Sequence, residues 1–478
     1  VIDILLQLNN LEDTSANRNA MENKRRTGGY HVQLAIDTSI QETVEDTLEN
    51  WTNYPTLRDP ADKVYRTRNS DGTYDETVEP QAAAVVVDYR TGEIKAIVGS
   101  RTRPTAMKTF NRAVDMTMPV GSSIKPIAVY APAIELGASP ASIVMNMPLP
   151  ISGWRGSNGQ DSWPRNYGGS SYAGPETLRK ALVNSHNTAA AQALMTLVGV
   201  DNSVAFLHAM GIDDAHIDAT PFGLSLGSSG ITPMQMAVAF GVLANGGVYQ
   251  QPISVLGISD STGKVIWDGH QRQERHRVFS ESTAYMVVDM LKQAVSSGTG
   301  TNAKIKGQTV AGKTGTVNES GGGNRDVWMA AYTPELSTAV WMGYDEPDAA
   351  HRLPNRVSGG TNPASLARNF LRAWYTGRKK PDFTKPKGIV SADIDKKAIE
   401  WRGEPMLATS LTPSAYRLNE VFLDGTQPKK KSDVWNAPAS AKSFSVSHSD
   451  DGQPLLVIQA SDAAVYRVKR DAAGESFI

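Results

Sequence analysis

The sequence contains no cysteine among its 478 residues. Disulfide bonds, zinc sites built on thiolates and a cysteine nucleophile are therefore excluded together. The eight histidines are scattered and show no metal-ligand spacing such as H-E-x-x-H, so neither a metal nor another cofactor is predicted. No apolar run approaches the roughly 18 residues that span a bilayer, and the N-terminus has no signal-sequence pattern.

An excess of charge of either sign is also lacking. The 48 Lys and Arg residues nearly balance the 49 Asp and Glu residues, which leaves a net charge of -1. Global electrostatics therefore gives no reason to expect nucleic acid as a partner. The length indicates two or three domains. Because the chain begins with Val1 and not with Met, we expect a piece of a longer protein with its membrane anchor upstream.

Apolar periodicity predicts the order of the elements. Residues 1–30 are predicted to form a short helix and a solvated connector. A strand follows in "YHVQLAI", and Asp37 and Thr38 are placed to cap a helix from about Ser39. The stretch "AAAVVVDYRTGEIKAIVG" predicts a β-hairpin. Helical patterns dominate residues 115–300, and strands return in "GQTVAGKTGT", "VWMAAYTP" and "LSTAVWMGY", which indicates an α+β domain.

The C-terminal part has a different character. The segment "TGRKKPDFTKPKG" after Trp374 reads as a basic, proline-containing linker, and short alternating runs after about residue 388 predict a small β-rich domain. The predicted domain limits are 1–75 for an N-terminal connector, 76–385 for the main domain and 386–478 for the terminal one.

The stretch "GQTVAGKTGT", residues 307–316, fits two motifs. Its first eight residues match the phosphate-binding pattern G-x-x-x-x-G-K-[ST], and it also contains K-T-G. A phosphate loop needs a flexible turn followed by a helix, but Gln308 to Ala311 favour an extended strand, and the residues after Lys313 are poor helix starters. The flanking residues therefore argue against a nucleotide site.

The K-T-G interpretation requires S-x-x-K and S-x-N earlier in the chain. "SSIK" supplies Ser122 and Lys125, and "SHN" supplies Ser185 and Asn187 in the required order. Taken alone, each serine would be a helix cap or turn residue, and Lys313 a surface charge. The joint order of the three motifs favours a catalytic site.

The spacing of the motifs suits nucleophilic chemistry. Residues three apart on a helix share a face, so Ser122 and Lys125 can meet if a helix begins near Gly121. Lys125 can activate the Ser122 hydroxyl as a base if burial and the nearby charge of Lys313 lower its pKa. Ser185 and Asn187 could relay a proton and hold a substrate amide, while His186 is interpreted as a variable position.

The residues of the third motif, K-T-G, suit the binding of an anionic substrate group along a strand. Lys313 and the hydroxyls of Thr314 and Thr316 would suit a substrate carboxylate. Gly315 has no side chain, so a ligand backbone could lie against the strand.

These motifs and several longer stretches resemble the penicillin-binding transpeptidases, and more closely the class A, two-domain peptidoglycan synthases. The similarity covers about residues 35–375 and includes "FNRAVDMTMPVGSSIKPIAVYAPAIELG" and "PRNYGGSSYAGPETLRKALVNSHNTAA". It implies the penicillin-binding/serine β-lactamase-like fold: a five-stranded antiparallel sheet flanked by helices, with a helical subdomain. It also implies action at the outer face of the cell membrane, on stem peptides ending in D-Ala-D-Ala and with β-lactams as inhibitors.

The resemblance assigns roles residue by residue. Ser122 would be the acylated nucleophile, Lys125 its base, and Ser185 and Asn187 the second motif. Residues 313–316 would be the carboxylate-binding strand, and the backbone N–H groups of Ser122 and Thr316 the oxyanion hole. The remaining alternatives are a D,D-carboxypeptidase or β-lactamase-like hydrolase, and a non-catalytic β-lactam sensor.

One part of the class A pattern is missing. The catalytic "EDxxFxxHxG"-like region of the glycosyltransferase partner is absent, so this chain is not expected to polymerise glycan. That domain is expected upstream, and other cell-wall synthesis proteins are candidate partners.

Overall fold

Helices and sheets alternate along the chain in a computed structural model. The structure describes residues 1–56, 64–68, 74–104, 109–156, 159–169, 171–319, 321–348, 350–435, 441–460, 465–470 and 476–477. The described α-helices are α1 (Ile2–Leu8), α2 (Ser15–Thr27), α3 (Thr38–Glu49), α4 (Ala131–Glu135), α5 (Leu178–Val183), α6 (Asn187–Ala193), α7 (Val200–Ala209), α8 (Pro221–Leu226), α9 (Pro233–Ala244), α10 (Glu281–Ser296), α11 (Asn362–Trp374) and α12 (Lys396–Arg402).

The strands are mostly short outside one large sheet. They are β1 (His31–Leu34), β2 (Val64–Arg68), β3 (Tyr74–Val78), β4 (Gln81–Asp88), β5 (Glu93–Val98), β6 (Met118–Pro119), β7 (Ile143–Asn146), β8 (Ile151–Arg155), β9 (Asp161–Ser162), β10 (Gly174–Thr177), β11 (Gly230–Ile231), β12 (Val248–Gln250), β13 (Val255–Ser259), β14 (Val265–Asp268), β15 (Arg275–Arg277), β16 (Ala311–Asn318), β17 (Asn324–Tyr332), β18 (Ser337–Gly343), β19 (Ile389–Asp395), β20 (Arg417–Leu423), β21 (Ala441–His448), β22 (Pro454–Ala460), β23 (Val465–Arg470) and β24 (Ser476–Phe477).

Five strands form the central sheet in the order β16-β17-β18-β4-β5, and every neighbouring pair is antiparallel. Successive side chains of a strand point to opposite faces. Ala83, Val85 and Val87 therefore enter one core, shared with α9 and α10, whereas Ala82 and Ala84 enter a second core shared with α3 and α11. The sheet, the hairpin predicted in residues 82–99 and the α+β class are confirmed, with the hairpin strands at Gln81–Asp88 and Glu93–Val98.

The predicted strand "GQTVAGKTGT" is confirmed only in its second half, since β16 begins at Ala311. Gly307 has φ +76, and the Gln308 N–H donates to the Ile305 carbonyl, which makes a turn of the preceding residues. β16 is an edge strand of the sheet. One side of its backbone is therefore available to something other than a sheet partner.

The N-terminal region differs from the prediction in one respect. The polar stretch interpreted as a solvated connector is the helix α2, whose first turn is capped by the Thr14 side chain and whose last turn carries Lys24, Arg25 and Arg26. Positive charge at a helix C-terminus and an N-cap stabilise a helix that has a weak apolar face. The predicted capping of α3 is confirmed, because Asp37 accepts from the Ser39 and Ile40 N–H groups.

The C-terminal region is β-rich, as predicted. β19 pairs with β20, and β21 to β24 form a four-stranded sheet. In the part of the chain that the structure describes, no single helix is long and apolar enough to cross a membrane. Residues 187–198 and 200–209 pass the length and composition test only together, with a 91° bend between them.

An ion pair links the helical region to the C-terminal strands. The guanidinium of Arg179 in α5 binds both carboxylate oxygens of Glu420 in β20, with Nε 2.7 Å from Oε2, and its Nη2 lies 2.7 Å from Asp289 in α10. The Arg179 and Glu420 side chains are 7% and 0% exposed. Removing one member of such a buried pair leaves an uncompensated charge and costs roughly 3–5 kcal/mol.

Candidate active site

The first motif lies in a tight turn on β16. Residues Gly121–Ile124 form one turn of 3-10 helix, in which the Lys125 N–H donates to the Ser122 carbonyl. Gly121 has φ +57, and a Cβ there would lie 2.9 Å from the Thr316 nitrogen, so only glycine allows this approach. Its N–H donates to Gly227. Ser122 is partly exposed beside the third motif.

The helical segment after Gly121 is not the regular α-helix that the sequence predicts. The 3-10 turn continues as one π-helical turn, Pro126–Tyr130, and only then as α4. The cause is two prolines, which lack the N–H that an α-helix needs. In an α-helix, residue 126 would donate to the Ser122 carbonyl and residue 132 to the Ala128 carbonyl, but proline cannot donate. The Ser122 carbonyl accepts from the Lys125 N–H instead, and the Ala128 carbonyl accepts from the Ser203 hydroxyl at 2.7 Å.

The amine of Lys125 is completely buried and bonded to the second motif. Its Nζ donates to Asn187 Oδ1 at 2.6 Å and to the Ser185 carbonyl at 2.9 Å, and lies 3.4 Å from Ser185 Oγ. Burial, and then the charge of Lys313, hold the pKa of Lys125 well below its ordinary value. Among the described residues, Lys125 makes no hydrogen bond to the Ser122 hydroxyl, although both lie on the same turn.

Ser185 occupies the end of α5 in a conformation that normally requires glycine. Its N–H donates to Leu182 and the next N–H, of His186, donates to Ala181, which is the bonding of a Schellman motif. Ser185 is the left-handed residue of that motif, with φ 60. The motif holds the Ser185 carbonyl and hydroxyl toward the two lysines.

We expect Ser185→Gly to be more stable than Ser185→Ala by about 1 kcal/mol, because only the alanine retains the left-handed strain. Both variants lose the hydroxyl, so the comparison isolates the backbone. Urea unfolding measures the difference. At Asn184, which has an ordinary right-handed conformation, the same pair should give the opposite order. A Ser185→Gly variant no more stable than Ser185→Ala would contradict the strained conformation.

Asn187 begins α6 and depends on a distant residue for its cap. The Asn187 and Thr188 N–H groups donate to Asn166 Oδ1 at 2.8 and 3.3 Å. The Asn187 side-chain amide donates to the Arg165 carbonyl at 2.7 Å, while its oxygen accepts from Lys125. Sequence reasoning missed Arg165 and Asn166. The clustering of Pro, Asn and Gly in "PRNYGG" marks a loop but does not indicate which helix it caps.

The third motif supplies a second buried amine. Lys313 Nζ donates to Ser185 Oγ at 2.8 Å and to the Thr314 carbonyl at 3.0 Å. Burial lowers the pKa of Lys313 to about 7. The Ser185 hydroxyl thus lies between Lys313 and Lys125, and the three predicted motifs meet at this atom.

The space beside Gly315 is filled by the protein itself. A Cβ on Gly315 would lie 2.1 Å from the Val120 carbonyl oxygen and 3.0 Å from Ser123 Oγ. The missing side chain admits the turn that carries Ser122, while the expected contact of a ligand backbone with the edge of this strand stays a prediction.

The two threonines of the third motif both have protein partners. Thr314 Oγ1 lies 2.8 Å from Thr299 Oγ1, and Thr316 Oγ1 accepts from the Gly359 N–H at 3.1 Å. Sequence reasoning also missed Thr299, which follows α10 and carries no motif. A search of the described residues finds no group of three His, Asp or Glu side chains able to hold a metal ion.

Comparison with known proteins identifies the family. Residues 82–372 match the family described as "Penicillin binding protein transpeptidase domain". The chain belongs to the penicillin-binding protein transpeptidase family. Residues 385–437 match "Penicillin-binding protein 1A, C-terminal domain". The resemblance to class A penicillin-binding proteins is thereby confirmed, and so is the expected transpeptidase fold.

Individual relatives agree with this assignment. Penicillin-binding protein 1A of Clostridium perfringens is 34% identical over 371 residues, which is 76% of this chain and 42% of that protein. Penicillin-binding protein 1F of Bacillus subtilis is 33% identical over 382 residues, 78% of this chain and 47% of that protein. The chain spans about half the length of these penicillin-binding proteins.

A solved structure shares the fold. The PonA1 protein of Mycobacterium tuberculosis, solved in complex with penicillin V, has a TM-score of 0.63 at 24% identity, covering 81% of this chain and 94% of that one. At this identity the similarity establishes the transpeptidase fold alone.

Proposed function

We propose that this chain is a peptidoglycan D,D-transpeptidase that acts through an acyl-enzyme on Ser122. The observation that carries the proposal is the Ser185 hydroxyl, which lies 2.8 Å from the Lys313 amine and 3.4 Å from the Lys125 amine. Two buried amines of lowered pKa can exchange a proton through such a hydroxyl. A neutral amine beside Ser122 is the base that a serine nucleophile requires.

In the first step Lys125, as a neutral amine, accepts the proton of the Ser122 hydroxyl. The Ser122 oxygen bonds to the carbonyl carbon between the two D-Ala residues of a stem peptide. The backbone N–H groups of Ser122 and Thr316 stabilise the negative oxygen. The C–N bond then breaks, and the D-Ala amine leaves with a proton delivered through Ser185.

In the second step an amine of a neighbouring stem peptide attacks the acyl carbon. A new amide bond forms, the bond to the Ser122 oxygen breaks, and the proton lost by the attacking amine passes through Lys125 to the Ser122 oxygen. The substrate carboxylate is held at Lys313, Thr314 and Thr316, so both threonine hydroxyls exchange their present partners for the substrate. β-Lactams acylate the same serine, and the reaction takes place outside the cytoplasmic membrane.

The test is mass spectrometry of the protein after incubation with penicillin, beside Ser122→Ala. We expect one penicillin mass on the wild-type protein, carried by the peptide that contains Ser122, and none on the variant. The same adduct on Ser122→Ala would refute the nucleophile. Rapid loss of the adduct would instead indicate a hydrolase. A stable adduct without turnover of a thioester donor and amine acceptor would indicate a sensor.

A further inference from the structure

The middle residue of the second motif, His186, makes two close polar contacts in the structure, although the sequence interpretation treats it as a variable position. Its Nδ1 lies 2.6 Å from Glu176 Oε1 and 2.9 Å from Asn146 Nδ2. Asn146 is fixed in that orientation, since its oxygen accepts from Thr188 and Asn166 at 2.6 and 2.7 Å. Nδ1 offers a single hydrogen-bonding position, and the shorter distance assigns it to Glu176, so that Nδ1–H donates to the Glu176 oxygen and the Asn146 amide nitrogen is only in contact.

Glu176 is fully buried and is hydrogen-bonded through Oε1, while its Oε2 has no hydrogen-bond partner among the described residues. It lies in β10, which pairs with β7, and its side chain is 0% exposed. Oε1 bonds to His186, and Oε2 lies 3.9 Å from Lys180 Nζ. A buried carboxylate retains its position only where charged or hydrogen-bonding groups compensate the loss of water. The imidazole supplies that compensation.

The two residues lie at opposite ends of α5. Glu176 precedes the helix, and His186 is the last residue of the Schellman motif that ends it. A helix of six residues is too short to be stable alone, and its final cap contains Ser185 in a strained conformation. The Glu176–His186 hydrogen bond closes the segment into a loop and fixes the direction in which the chain leaves the cap.

We propose that His186 and Glu176 are positioning residues for acyl transfer, acting through Ser185 and Asn187. This proposal rests on the proposed function. Ser185 precedes His186 and Asn187 follows it, and both are bonded to Lys125. Rotation of the His186 backbone therefore moves both acceptors of the Lys125 amine at once. A misplacement of about 1 Å can cost on the order of a hundredfold in rate.

The experiment distinguishes loss of the Glu176–His186 hydrogen bond from loss of side-chain volume. His186→Leu and Glu176→Leu keep volume but remove the bond. His186→Asn places an amide nitrogen near the position of Nδ1, and Glu176→Gln keeps the accepting oxygen. The readout is the second-order rate constant for acylation of the full chain by a fluorescent penicillin, measured from pH 5 to 10, with thermal unfolding recorded for each variant. His208→Leu breaks an exposed histidine–Asp214 pair and is the matched control.

We expect both leucine variants to acylate roughly ten- to a hundredfold more slowly. The double leucine variant should be no slower than either single one, since the two share one interaction. His186→Asn and Glu176→Gln should stay within a few-fold of wild type. In the leucine variants the acid limb of the pH profile should move to lower pH, because Lys125 loses acceptors that favour its ammonium form.

The opposite results are equally definite. Folded leucine variants with the wild-type rate and profile would overturn the proposal, as would rate losses that follow the unfolded fraction alone. Equal losses in the leucine variants and in His186→Asn would also overturn it. Failure of the proposed function is distinguishable, because the wild-type protein itself would then remain unacylated.

Discussion

Replacement of Lys125 by alanine is expected to slow acylation by penicillin about a thousandfold, in the middle of the roughly hundred- to ten-thousandfold range that general-base catalysis contributes. The Ser122 hydroxyl is a poor nucleophile without a base, and the buried Lys125 amine lies on the same turn. The neutral fraction of any amine increases with pH. Burial lowers the pKa of Lys125, so this increase occurs at a lower pH than for an exposed lysine. Wild-type acylation should therefore increase with pH up to a plateau.

The measurement is the rate constant for acylation by a fluorescent penicillin from pH 5 to 10. The Lys125→Ala variant should be slow at every pH and should not show the increase of rate with pH, because that increase reflects deprotonation of Lys125. The exposed Lys379 provides the control, and Lys379→Ala should retain both the rate and the profile. An unchanged rate in a folded Lys125→Ala protein would remove Lys125 from the role of base.

Gly315→Ala should abolish most of the activity through sterics alone. Its Cβ would lie 2.1 Å from the Val120 carbonyl oxygen and 3.1 Å from Trp328 Cβ, so β16 and the Ser122 turn must separate. Overpacking of this kind costs roughly 1–3 kcal/mol, and a shift of about 1 Å at the nucleophile costs on the order of a hundredfold in rate. No charge or hydrogen-bonding group is removed.

Gly257→Ala is the matched control, because Gly257 also lies in a strand and the nearest atom to its added Cβ would be 3.7 Å away. Chemical denaturation and penicillin acylation should separate the two alanines. Gly315→Ala should be slow and less stable, while Gly257→Ala should stay close to wild type. If the Gly315 variant acylated normally, the tight contact between the strand and the turn would be disproved.

The large elements of this fold follow from sequence because their signals are local. The apolar, β-rich run in "AAAVVVD" predicts a strand, and Asp37 marks the start of α3 by chemistry confined to one turn. The order of three short motifs also sufficed to predict which residues converge. For the strand and the helix cap, the physical cause lies within a few residues of its effect.

The remaining features depend on contacts between distant segments. Asn166 caps α6 across 21 residues, and Glu176 binds His186 from the far side of α5. Neither bond leaves a periodic signal. The winding after Ser122 was also mispredicted, although Pro126 and Pro132 are visible in sequence, because the carbonyl that Pro132 leaves free is satisfied by Ser203.

The ion pair between Arg179 and Glu420 has a consequence for how the protein divides. The two family matches meet near residue 385, yet the guanidinium at the start of α5 is neutralised from beyond that point. A chain cut there would retain every motif residue but lose Glu420, one of the two carboxylates that bind Arg179, the buried cation six residues before Ser185. An ion pair therefore crosses the border between the two family matches, and we expect loss of the C-terminal strands to lower the stability of the region that carries the three motifs.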